Sequence, residues 1–97
     1  MASVTVRFYG LWSRYLETDN LSIEADNVEG ALTQVEDRFG SRLRQQLEQF
    51  RVPGVQANGK IQDYSLVLLN GVNIRNLKQT GLKEGDVLHI LPPAAGG

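Results

Sequence analysis

Few side chains in this 97-residue chain have a type and spacing that could do chemistry. His89 is the single histidine and there is no cysteine, which excludes a multi-histidine metal centre, thiolate ligands, disulfides and a cysteine nucleophile. The carboxylates are scattered. Glu36 and Asp37 fall on a helical pattern, Glu84 and Asp86 in a turn, and none has the spacing of a calcium loop. The stretch "GVNIRNLKQTGLKEG" has glycines but not the lysine and hydroxyl residue of a phosphate loop. No serine or threonine stands at a recognisable spacing from a base. The domain is therefore expected to hold no metal, no bound cofactor and no active site of its own.

What remains is the last segment, "LPPAAGG", residues 91–97. Pro92 and Pro93 fix φ and favour an extended exit. Ala94, Ala95, Gly96 and Gly97 carry the smallest side chains, so this stretch could thread a channel too narrow for larger ones. Six extended residues reach roughly 20 Å. The group such a thread would present is the α-carboxylate of Gly97. A frayed terminus, the common fate of a domain's last residues, is the competing reading.

The elements that would position this tail are read from periodicity. "SVTVRFY" alternates, with Val4, Val6 and Phe8 on one face and Thr5, Arg7 and Tyr9 on the other, as in a half-buried strand. "LWSRYLE" follows as a loop or single helical turn carrying Trp12 and Leu16. Leu21, Ile23 and Ala25 predict a second strand that pairs with the first. Val28, Leu32, Val35 and Phe39 then form one helical stripe. Asp26 or Asn27 is the expected cap, with Glu29 three residues after Asp26 as in a capping box. Gly40 is placed as a left-handed C-cap. Residues 41–51 predict a more polar second helix using Leu43, Leu47 and Phe50, and 52–64 a loop with an Asn58–Gly59 turn. Leu66 to Leu69 form an apolar run suited to a buried central strand. Asn70–Gly71 signals a hairpin with a short return strand, Val72 to Ile74. "LKEGD" is a turn before the last strand, in which Leu88 and Ile90 alternate with Val87, His89 and Leu91. Prolines end its pairing.

One α+β domain is predicted over 1–91, with 92–97 as an extended tail. Ten basic and eleven acidic residues give a net charge of −1, without the basic patch that nucleic-acid binding needs. No apolar run approaches the roughly 18 residues of a membrane span, and no signal segment opens the chain, so the expected location is the cytoplasm.

The β-β-α-β-β order, the Asn-Gly after an apolar strand, "LKEGD" before the last strand and the ending "PPAAGG" resemble the ubiquitin-like β-grasp sulfur carriers of the MoaD/ThiS family. Within that family they are most similar to small subunits of molybdopterin synthase. The resemblance covers Val4 to Gly97. It implies a mixed sheet of four to five strands with one main helix packed across it and a flexible Gly-Gly tail. It also implies that an E1-like adenylyltransferase uses MgATP to adenylate Gly97. A persulfide, from a sulfurtransferase, would then convert Gly97 to a thiocarboxylate. The sulfur would be delivered to a pterin precursor in the large subunit of molybdopterin synthase, which holds the catalytic residues. If the outer strands are neighbours, as in that fold, Tyr9, His89 and Leu91 form an apolar partner-binding patch near the tail, flanked by Arg7 and Arg75. Ordinary surface exposure is the alternative for all three. The same activated terminus also suits a ubiquitin-like modifier joined through Gly97 to lysines, and other sulfur acceptors remain open.

Overall fold

The computed structural model describes residues 1–49 and 60–92. Period-two alternation shapes the sheet. Strand β1 (Ala2–Phe8) turns Ala2, Val4, Val6 and Phe8 inward, and β2 (Asn20–Ala25) does the same with Ile23 and Ala25. Strands β3 (Leu66–Leu69), β4 (Val72–Asn73) and β5 (Val87–Leu91) complete a five-stranded sheet of order β2-β1-β5-β3-β4. Its two central strands, β1 and β5, run parallel, while every other pair is antiparallel. The first and last strands of the chain therefore meet at the middle of the sheet.

A helix covers the inner face. Helix α2 (Val28–Val35) starts at Asn27, whose Oδ1 accepts the Gly30 amide at 2.7 Å. The cap is thus Asn27 rather than Asp26, which takes Glu29 out of the capping-box position. Val28, Ala31, Leu32 and Val35 are buried against the sheet, and Phe39 meets Phe8 edge to face at 5.4 Å between ring centroids.

Gly40 does not end this helix. The chain passes through one π turn (Glu36–Gly40) directly into α3 (Ser41–Gln49), all in right-handed conformation. The glycine serves close approach instead: a Cβ on Gly40 would lie 1.4 Å from Glu36 Oε2. That oxygen accepts from Arg44 at 2.6 Å, and Oε1 accepts from the Ile61 amide at 2.9 Å. Leu43 is buried as expected. The Leu47 side chain, Phe50 and the Asn58–Gly59 turn lie outside the described residues.

Three further expectations change. Part of the expected 52–64 loop is a short helix, α4 (Ile61–Tyr64), with Ile61 fully buried. Strand β3 is covered on one face only: Val67 and Leu69 are buried, while Leu66 is 41% exposed. A single helical layer leaves the other face open. The return strand stops at Asn73, because its Oδ1 accepts the Arg75 amide and turns Ile74–Asn76 into a 3₁₀ turn.

The two turns flanking β5 and β3 are tied together. Asn70 (φ 51°) and Gly71 (φ 91°) make the expected hairpin. Asn70 Oδ1 accepts the Val87 amide, and its Nδ2 donates to Asp86 at 3.0 Å. The Lys83 amide also donates to Asp86, and these hydrogen bonds hold its carboxyl below the usual range. This brace fixes where β5 begins, and hence where it ends.

Candidate functional site

The site is the root of the tail and the sheet surface around it. Helix α1 (Leu11–Leu16) buries Trp12 and Leu16, and Trp12 Nε1 donates to Ser65 Oγ at 2.8 Å, which ties the end of β1 to the start of β3. Between β1 and α1, Gly10 sits at φ 57°, a region that L side chains rarely adopt. A Cβ there would come 3.5 Å from Pro92 Cγ, so the tail's first residue rests against this bend. The Tyr9 amide donates to the Ile90 carbonyl at 3.2 Å, carrying the β1–β5 pairing to the point of exit. The tail therefore leaves from the centre of the sheet, between β1 and β3.

All three residues predicted for a patch come to the outer face, and each is half-buried. The Tyr9 hydroxyl and His89 Nδ1 are 2.5 Å apart, their ring centroids 5.5 Å. Arg7 lies in register with His89 and places its guanidinium 5.6 Å from the Tyr9 ring centre. Leu91 is in register with Leu66, and His89 with Leu68.

Leu66 and Leu68 are the site residues that sequence reasoning missed. An unbroken Leu-Val-Leu-Leu run has no polar residue to mark the outer face, although simple alternation would have exposed it. Across the sheet, β2 puts Asn20, Ser22 and Glu24 outward. The outer face thus has a polar half over β2 and an apolar half over β5 and β3, where the tail leaves. Ala94, Ala95, Gly96 and Gly97 lie outside the described residues, so the structure does not place them. Among the described residues no group of three or more His, Cys, Asp or Glu side chains could hold a metal. No helix among them is long and apolar enough to cross a membrane.

A mixed five-stranded sheet with parallel central strands and one main helix across it is a ubiquitin-like β-grasp fold. The model of the ThiS family matches residues 14–97, and the chain belongs to that family. Its fold is that of the ThiS- and MoaD-like sulfur carriers. Among solved structures it is similar to the small archaeal modifier protein 1 from Methanosarcina acetivorans. That match has 27% identity and a TM-score of 0.70, covering 100% of this chain and 98% of that one. It is also similar to a chain in the complex of subunits 1 and 2 of the molybdopterin-converting factor from Helicobacter pylori 26695. There the identity is 28% and the TM-score 0.52, covering 98% and 99%. The Amycolatopsis orientalis BexX/CysO complex shares the fold, at 23% identity and a TM-score of 0.61, covering 97% and 99%. No curated protein matches the sequence.

Proposed function

We propose that this protein carries sulfur on the carboxyl group of Gly97 for biosynthesis of the molybdenum or tungsten pterin cofactor, as the small subunit of a molybdopterin synthase. The observation that carries this reading is the family match, which runs through the Gly-Gly end. The likeness to a molybdopterin-converting factor complex at 28% identity supports the pathway and a protein partner.

In this reading an E1-like enzyme binds the apolar half-face. The Gly97 carboxylate oxygen attacks the α-phosphorus of MgATP, pyrophosphate leaves, and an acyl-adenylate forms. A persulfide on a sulfurtransferase attacks the acyl carbon and displaces AMP. A second thiol then cleaves the S–S bond, forming a disulfide with the donor and releasing Gly97 as a thiocarboxylate. The charged tail enters the large subunit, gives its sulfur to the pterin precursor, and returns as a carboxylate. Tethered delivery replaces a bimolecular encounter, and the catalytic side chains belong to the partners.

Deleting Gly97 should leave partner binding intact and abolish ATP–pyrophosphate exchange with the host's E1-like enzyme. Undiminished exchange would remove Gly97 from the chemistry. A second reading, conjugation of Gly97 to lysine amines, is favoured by the likeness to a small archaeal modifier protein at 27% identity. The two share the adenylation step and diverge only in what attacks the adenylate.

A further inference from the structure

The two edges of the sheet differ. Strand β4 has two residues, Val72–Asn73, whereas β2 has six, Asn20–Ala25, with no proline, lysine or bulge to guard it. Among the described residues only β1 pairs with β2. The Phe8 amide donates to the Asp19 carbonyl at 2.8 Å, which sets the phase of the β1–β2 ladder. Leu21, Ile23 and Ala25 therefore turn their backbone groups to β1, and Asn20, Ser22 and Glu24 turn theirs away from the sheet. One outward group is taken within the chain: Gln34 Nε2 donates to the Glu24 carbonyl at 2.6 Å. The amides and carbonyls of Asn20 and Ser22 have no partner among the described residues.

The charge around this edge is one-sided. Residues 15–37 hold seven of the eleven acidic residues and no lysine or arginine, although the net charge of the whole chain is only −1. Glu24 stands on the edge itself, and Glu17, Asp19 and Asp26 flank its two ends, all of them exposed. A second copy of this edge would set acid against acid, whereas a basic strand would be drawn to it.

We propose that β2 accepts an extended basic segment of a partner protein as a sixth strand. Backbone pairing with Asn20 and Ser22 supplies the docking geometry, and alternate side chains supply the selection. On the inner side, next to half-buried Leu21, the segment places an apolar residue. On the outer side, next to Ser22 and Glu24, it places lysine or arginine. Arg7 on β1, in register with Asn20, directs these cations toward the Glu24 end. Pairing stops there, because Gln34 already holds the Glu24 carbonyl. Strand β1 separates β2 from β5, so an occupied edge leaves the root of the tail uncovered. Docking at β2 does not depend on what Gly97 carries.

The test is amide hydrogen exchange of the full chain, read residue by residue by NMR, with and without a capped peptide of alternating lysine and valine about nine residues long. At saturating peptide the amides of Asn20 and Ser22 should exchange about tenfold more slowly, while those of Leu21 and Ile23 change little because β1 already holds them. Glu24→Lys, at an exposed position, should weaken the peptide about fivefold. Ser22→Pro removes an outward donor and leaves the β1 ladder in place, so it should abolish the effect in a chain whose β1 and β5 amides stay protected. No binding, or binding that leaves Asn20 and Ser22 exchanging as fast as before, overturns the proposal. So does equal binding of a peptide of alternating glutamate and valine. Protection of the same two amides that grows with protein concentration alone would also overturn it, and would assign the edge to a second copy.

Discussion

The two faces of one sheet, built by alternate residues of the same strands, serve different purposes. Inward from β5 point Leu88 and Ile90, both fully buried under the helix with Val4, Val6 and Val67. Outward point Val87, His89 and Leu91, flanked by Leu66 and Leu68, and none is covered by any described part of the chain. The inner face is apolar because folding needs it to be. The outer apolar half has no such need, since β2 on the same face is polar and the sheet tolerates it. Apolar surface held open beside the exit of a tail belongs to an interaction that the isolated domain does not make.

The comparison can be broken at its strongest point first. Leu88→Ala removes a fully buried side chain and should cost about 2–5 kcal/mol in denaturant unfolding. Leu66→Ala, in register with Leu91 and on the other face, should cost about 1 kcal/mol or less, yet raise the KM for adenylation several-fold. Equal losses of stability from the two would mean that the outer face is part of the core after all.

A smaller effect sharpens the account of the inner side. Gly40→Ala gains about 1 kcal/mol of helix propensity but displaces the Glu36 carboxylate from Arg44 and the Ile61 amide. Charge-assisted hydrogen bonds are worth about 1.5–3 kcal/mol each when removed, so losing both outweighs the helix gain and the variant should be less stable by about 2 kcal/mol or more. In a Glu36→Ala background only the end of the flexible Arg44 side chain, with Nη1 3.2 Å from the new Cβ, has to give, and the same substitution should become stabilising. The same loss in both backgrounds would show that Gly40 is needed for its backbone and not for the carboxylate.

Much of this architecture was legible. Alternation placed residues 4–9 and 87–91 on the correct faces of β1 and β5, and the stripe Val28, Leu32, Val35, Phe39 placed the helix. These patterns are local, and burial follows them directly. The failures were at positions decided by distant partners. Gly40 looked like a helix stop because glycine suits that role, whereas a carboxylate four residues earlier, held by groups eight and 25 residues from it, explains it. Leu66 and Leu68 looked like core because an unbroken apolar run cannot say how many layers cover it. The pairing of Tyr9 with His89 needed β1 and β5 to be neighbours, which came from resemblance and not from either strand alone. The tail was readable as a chemical idea, and its residues beyond Pro92 lie outside the described structure.

The measurement that bears most directly on the central claim is the intact mass of this protein isolated from its native host, with a search of the same lysate for Gly-Gly remnants on lysines. The account predicts a population heavier by the difference between sulfur and oxygen, with the change confined to Gly97. A Gly97 found only as a carboxylate, or found joined to lysine amines with no sulfur-bearing form, would contradict it.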